Sequence, residues 1–444
     1  MEKFVVNGGN KLRGNVKVSG SKNVALKALV AACLTDEKVV IKNIPHISDF
    51  YVMVEILKEL GGKVEIVDHE AHIQVEKISN HEIPLDKASL ARTSVMFISP
   101  LLVRVNEAII PNPGGCRLGA RPVDRLIDSV EHLGAKITYH SEDGYFHAKT
   151  KGLLATDYTF SKNTHTGTES FILAAVLAKG TTTLKNAAEE PEIDDLIELL
   201  NLMGAKIKRT NKREITIIGV DKLHGCEFVI SPDRNEVVTF ALAAFLTKGD
   251  IFVEGARGKD VKEFLQELDK SNCGYEEKDG GMRFFYKGEI KPTRITTKIY
   301  PGFMTDWQAP WAVLMTQADG SSFIHETVFE NKFGYISDLK KMGAKIEVVK
   351  PKIDNPEEIY NFNLEDDNEE FIHAIEIHGP TPLHNAVVTT VDIRAGAAIV
   401  LAALVANGES TIFGIEKLDR GYEDFENRLK SLGADIKRVR EEIV

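Results

Sequence analysis

Cysteine is scarce in this chain and carries no pattern: Cys33, Cys116, Cys226 and Cys273 are the four in 444 residues, with no CxxC and no Cys/His ligand spacing. Neither a disulfide framework nor a zinc site is indicated, and no metal or cofactor is called for. Long apolar runs are missing too. Nothing reaches the roughly 18 residues needed to span a membrane. The opening MEKFVVNGGNKLRGNVKVSGSK alternates like a pair of strands and lacks the apolar region of a signal peptide, so a cytoplasmic location is expected. Positive charge is in deficit, 55 Lys and Arg against 66 Asp and Glu for a net −11, which argues against a nucleic-acid surface. An anionic ligand must then be met by basic residues gathered in one cleft. With 43% hydrophobic and 27% charged residues the chain is an ordinary globular one, long enough for two or three cores.

What is present is repetition. The tags LGGKVEI, LGAKITY, MGAKIKR, NCGYEEK, MGAKIEV and LGADIKR place glycines at 61, 134, 204, 274, 343 and 433. The steps are 73, 70, 70, 69 and 90 residues, so a unit of about 70 occurs six times with an insertion in the last interval. Each glycine is expected to end an amphipathic helix, with a β-branched strand after it. Well before each tag comes a segment apolar nearly all round: VALKALVAACL, SVMFISPLLV, SFILAAVLA, VTFALAAFLT, WAVLMTQA and AAIVLAALVA. Such segments belong in a core, Cys33 with the first of them. The pattern predicts an α/β fold of six related units, two groups of three, because one core rarely grows past about 300 residues. The insertion, residues 351–371, is acidic and reads as a solvated loop.

Within the second unit, PNPGGCRLGARPVD puts Cys116 on a glycine-rich loop between Arg117 and Arg121. An exposed, electropositive setting of that kind lowers a thiol pKa. Pro122 suits the first position of the helix that follows, which leaves Arg121 at a helix N-terminus, where an anion would offset it.

The repeat also allows equivalent positions to be compared. Counting back fourteen residues from the turn after each apolar segment lands on Asn23, Arg92, Thr166, Asn235, Asp306 and Arg394, with Lys22, His165, Arg234 and Asp392 as neighbours. Ser, Thr, Asn and Asp at helix starts are expected as caps. Lys22, Arg92 and Arg394 are misplaced for capping and for the helix dipole, and a shared anionic ligand resolves both problems.

In this order, SGSKNVAL, PGGCRLGARPVD, AAEEPEIDDL, SPDRNEVVTF, MTDWQAP, HETVFENKFGY, DIRAGAAIVLAAL and LDRGYEDFENRL resemble, over essentially the whole chain, the UDP-N-acetylglucosamine 1-carboxyvinyltransferases of the enolpyruvyl transferase family. The resemblance implies a two-domain inside-out α/β barrel of six βαβαββ repeats, three per domain. One domain would span 22–231 and the other 1–21 with 232–444, the site lying between them and the Cys116 loop acting as a lid. It implies transfer of the enolpyruvyl group of phosphoenolpyruvate to the 3′-hydroxyl of UDP-N-acetylglucosamine with release of phosphate, at the start of peptidoglycan precursor synthesis, by a monomer. Catalytic roles fall on Cys116, Asp306, Lys22 and Arg394: Cys116 in protonation and as the group alkylated by fosfomycin, Asp306 as base at the sugar hydroxyl. Lys22, Arg92, Arg121, Arg394 and Arg420 clamp the phosphate and carboxylate, chemistry that suits guanidinium groups. Asn23 holds the intermediate or the sugar. The UDP-sugar falls to Arg121, Pro122, Val123 and Asp124, to Thr166 and Gly167, and to Val328, with Asp392 beside Arg394.

This chain departs from the family at Arg125, where an apolar residue is usual, at the polar segment THTGTES, and at Lys332 in place of arginine. Alternative readings are an enolpyruvyl transferase with another acceptor, a catalytically silent UDP-sugar-binding paralogue, or a cyclase acting on RNA ends. Phosphate release from phosphoenolpyruvate, with and without UDP-N-acetylglucosamine, separates them.

Overall fold

Strand pairing decides how the chain is partitioned. The computed structural model describes residues 2–112 and 123–440. Strand Glu2–Asn7 lies between Glu409–Phe413 and Asp435–Arg440, antiparallel to both. Arg13–Lys17 runs parallel to Asp250–Glu254. Conversely, Glu227–Val229 returns to pair with Val39–Lys42. Two compact units result, parting at Ser19/Gly20 and again at Ser231/Pro232.

Each unit runs three times through one pattern, clearest in the third repeat. Short strand Asp157–Thr159 is followed by helix His165–Ala175, strand Thr181–Lys185, helix Pro191–Leu202 and the hairpin Lys206–Asn211 with Glu214–Ile218. The sheet order is the same in five of the six sheets. The short strand pairs with the strand after the buried helix, that one with the second hairpin strand, and the first hairpin strand forms the edge. In the sixth repeat Glu2–Asn7 takes the place of the second hairpin strand. Five such sheets have four strands and one has three; all are open, and none closes into a barrel among the described residues. The helices form the inside of each unit. Every residue of Arg234–Leu246 is buried, and this helix packs against Thr305–Met315 and Ile393–Val405. Helices apolar on all sides can be stable only there.

The second repeat is the irregular one. Its apolar segment folds as a 3-10 turn, Arg92–Phe97, before helix Ile98–Val105. Pro100 explains the break, since a residue without an N–H is tolerated in the first turn of a helix and not further in.

Gly61, Gly134, Gly204, Gly343 and Gly433 all stop their helices with φ between 96° and 104°. The fourth tag requires a correction. There Asn272 takes the left-handed position at φ 62°, while Gly274 opens strand Gly274–Lys278. Asparagine tolerates that conformation better than most side chains, so the turn survives without its glycine. The insertion is also less solvated than its composition suggests. Its acidic residues Glu365, Glu369 and Glu370 are exposed, but Tyr360 and Phe362 are buried and stack at 4.7 Å, and the Asn361 N–H donates to the Thr327 carbonyl at 2.8 Å.

Close packing of hairpin against helix end is visible at Gly219, where an added Cβ would lie 1.6 Å from the Ala178 carbonyl oxygen. Backbone must move to admit it. Gly219→Ala is expected to cost about 2–3 kcal/mol, read as a lower midpoint in urea unfolding with an unchanged slope.

Candidate active site

The six count-back positions prove structurally equivalent. Asn23, Thr166, Asn235, Asp306 and Arg394 are each the second residue of their helix, and Arg92 is the first of its 3-10 turn. The capping expectation needs correcting, because the caps lie further upstream. Thr164 accepts from Gly167 N–H, Asp233 from Asn235 and Glu236 N–H, and Asp392 from Arg394 and Ala395 N–H. The first-turn side chains of these three helices are thereby released from capping.

In the unit of residues 20–231, Lys22 opens helix Lys22–Ala32 with its Nζ 2.7 Å from Asp49 Oδ2. Asn23 follows it. Val123 and the exposed Asp124 stand at the start of helix Asp124–His132. One residue on, Arg125 Nη1 donates to the Asn163 carbonyl at 3.3 Å, beside the segment holding Thr166 and Gly167. Inside that segment Glu169 is fully buried, with Lys27 Nζ 3.2 Å from one carboxylate oxygen and His165 Nε2 3.2 Å from the other. Cys116, Arg121 and Pro122 lie outside the described residues.

The other unit places Asp306 and Arg394 together. Arg394 Nε is 3.7 Å from Asp306 Oδ2. Asn235 Nδ2 approaches the same oxygen at 3.4 Å, its own Oδ1 held by Trp307 Nε1 at 2.9 Å. The Arg394 guanidinium lies 5.3 Å over the Tyr422 ring, and its buried Nη1 has no hydrogen-bond acceptor among the described residues. A buried charged donor left in that state is costly, and an anion would satisfy it. Pro310, inside the Thr305–Met315 helix, cannot donate to the Asp306 carbonyl one turn back. Arg420 follows in the turn before Tyr422 and is half-buried.

Glu326 is a residue that sequence reasoning passed over. Fully buried, it accepts from Thr305 Oγ1 at 2.9 Å, from Val328 N–H at 2.8 Å and from Phe329 N–H at 3.2 Å. One carboxylate thus joins the start of the Asp306 helix to the Val328 turn. Burial pushes its carboxyl above the usual range, against the pull of the Val328 N–H and the Lys332 charge. Its signal was HETVFENKF, where the acid drew no separate notice. The thiols at Cys33, Cys226 and Cys273 are all raised by burial, Cys33 to about 12 and the other two to about 11. None of these three is a nucleophile near neutral pH.

Known proteins fit this architecture. The family model for EPSP synthase (3-phosphoshikimate 1-carboxyvinyltransferase) matches residues 6–429. Similar curated proteins include a UDP-N-acetylglucosamine 1-carboxyvinyltransferase 3 of Caldanaerobacter subterraneus, 42% identical over 99% of this chain and 100% of its own length. A UDP-N-acetylglucosamine 1-carboxyvinyltransferase of Koribacter versatilis is 40% identical over 99% and 97%. Among solved structures, the enolpyruvyl transferase NikO from Streptomyces tendae shares the fold with a TM-score of 0.86 at 23% identity, covering 99% of both chains. EPSP synthase from Acinetobacter baumannii does so at 0.73 and 18%, covering 99% of this chain and 100% of its own. No helix among the described residues is long and apolar enough to cross a membrane.

Proposed function

The chain belongs to the EPSP synthase family and, within it, to the UDP-N-acetylglucosamine 1-carboxyvinyltransferases; from that premise we propose that it moves the enolpyruvyl group of phosphoenolpyruvate onto the 3′-hydroxyl of UDP-N-acetylglucosamine, releasing phosphate. The reaction is an addition followed by an elimination. The sugar hydroxyl gives its proton to Asp306 as its oxygen bonds to C2 of phosphoenolpyruvate, while the methylene carbon takes a proton from Cys116. The tetrahedral adduct then loses a methyl proton to the Cys116 thiolate and expels phosphate, which carries off the proton held by Asp306, restoring the double bond and both side chains. Lys22, Arg92, Arg121, Arg394 and Arg420 neutralise the phosphate and carboxylate. Val123, Asp124, Thr166, Gly167 and Val328 serve the UDP-sugar, Asn23 steadies the adduct, and Asp392 fixes the start of the Arg394 helix. The enzyme works as a monomer in the cytoplasm.

The observation that carries the reading is the buried Arg394 guanidinium, one donor unsatisfied among the described residues and a carboxylate 3.7 Å from its Nε. It is an anion clamp beside a base. Phosphate release that requires both phosphoenolpyruvate and UDP-N-acetylglucosamine is the expected result; release independent of the sugar, or none, overturns it.

Cys116 supplies a second test. Treatment with fosfomycin should leave one adduct, on Cys116, since the thiols at 33, 226 and 273 are held protonated by burial. Cys116→Ser should abolish the adduct and lower turnover by about 10²-fold, because a hydroxyl is a far weaker acid. Cys116→Asp should stay active and become insensitive to the epoxide. Mass spectrometry with a phosphate-release assay decides, and an adduct on Cys33, Cys226 or Cys273 with Cys116 unmodified, or full activity in Cys116→Ser, removes Cys116 from the mechanism.

A further inference from the structure

The polar segment THTGTES carries His165 and Glu169, and its charges are answered from another helix. Lys27 stands five residues after Lys22, inside an otherwise apolar helix, and is 6% exposed. Its Nζ reaches one oxygen of Glu169, and the other oxygen faces His165 Nε2, both at 3.2 Å. A carboxylate with no exposure is sustained only by such neighbours. Its Oε2 to Lys27 tie crosses between helices; its Oε1 to His165 tie spans one turn of its own.

We propose that Lys27, Glu169 and His165 form a buried charge chain that makes this imidazole a determinant of affinity for the diphosphate of the acceptor. The inference rests on assigning the Thr166–Gly167 segment to the UDP-sugar. Nε2 is buried against Glu169, while a quarter of the His165 side chain is exposed. The diphosphate is the acceptor's anionic group and the natural partner of an imidazolium. Other charges nearby are Glu190, which caps no N–H of its helix and is 5% exposed, and Arg125 on the Asn163 carbonyl. Burial disfavours the charged ring, Glu169 and Glu190 favour it, Lys27 opposes it, and the balance raises the His165 pKa.

The sign of the effect follows from linkage. A dianion binding beside His165 raises its pKa further, so binding takes up protons at pH values above the free-state pKa. Affinity is then highest on the acid side and weakens by up to about tenfold per pH unit as pH rises between the free and bound pKa values. The diphosphate diester has no proton to exchange in that range, whereas phosphoenolpyruvate does, so the acceptor alone is the probe.

The experiment is calorimetry of UDP-N-acetylglucosamine with the full chain, without phosphoenolpyruvate, from pH 6 to 9 in two buffers of different ionisation enthalpy. Wild type should show net proton uptake and a Kd that rises with pH. His165→Gln should show neither, and Glu169→Gln should move the uptake to lower pH. A wild-type Kd flat with pH and without proton uptake overturns the inference, as does wild-type uptake retained in His165→Gln. Should Glu169→Gln fail to fold, wild type and His165→Gln still decide. Absence of binding at every pH overturns the acceptor assignment as well, so the two failures are distinguishable.

Discussion

Asp306→Asn is expected to lower kcat by about 10³-fold, inside the roughly 10²- to 10⁴-fold range for loss of a positioned general base. The substitution keeps shape and one acceptor oxygen for Asn235 Nδ2, and removes only the basicity and the charge. Affinity for UDP-N-acetylglucosamine should change by less than about tenfold, since the sugar is held by other groups. A kcat within tenfold of wild type, in a protein of unchanged melting temperature, excludes Asp306 as the base. A large fall in acceptor affinity with kcat preserved would make it a binding residue instead.

Arg394→Ala should act on the other substrate. The guanidinium is 7% exposed, lies over Tyr422, and balances Asp306. Truncating one partner of a buried, charged contact to a ligand costs about 2–5 kcal/mol of binding, so kcat/KM for phosphoenolpyruvate should fall on the order of 10³-fold. Lysine at this position keeps the charge and loses the planar fork, so Arg394→Lys should recover only part of the activity. Acceptor binding, measured without phosphoenolpyruvate, should stay within a few-fold of wild type. Equal losses for both substrates would show that Arg394 holds the unit together and is not a clamp.

The repeat made most of the architecture readable before any coordinates. Residues at one count-back distance fell on one turn of their helices because apolar segment, turn and strand keep constant lengths. Capping was misread by two residues: Thr164 and Thr166, like Asp233 and Asn235, both suit a helix start by composition, and only backbone geometry says which one accepts the N–H bonds. Gly274 was assigned the turn for a related reason, as the left-handed site belongs to a position and Asn272 holds it as well as glycine. The Lys27 to Glu169 ion pair was not legible at all. The lysine in VALKALVAACL is a single polar residue in a segment apolar nearly all round, and its partner is far along the chain. Glu326 escaped because its partner Thr305 opens the preceding helix, and only the packing of that helix on the strand before Glu326 brings the two together.

Strand Glu2–Asn7 carries a consequence for biosynthesis. Its partners are Glu409–Phe413 and Asp435–Arg440, among the last described residues to leave a ribosome, whereas Gly20–Ser231 contains all the partners its own sheets require. Vectorial synthesis therefore completes the inner unit first and leaves Glu2–Asn7 waiting, both edges bare, for most of translation. An unpaired strand that carries Phe4, Val5 and Val6 in a row is an invitation to mispair with nascent chains nearby. The charged Glu2 and Lys3 that open the strand are placed where they discourage such encounters.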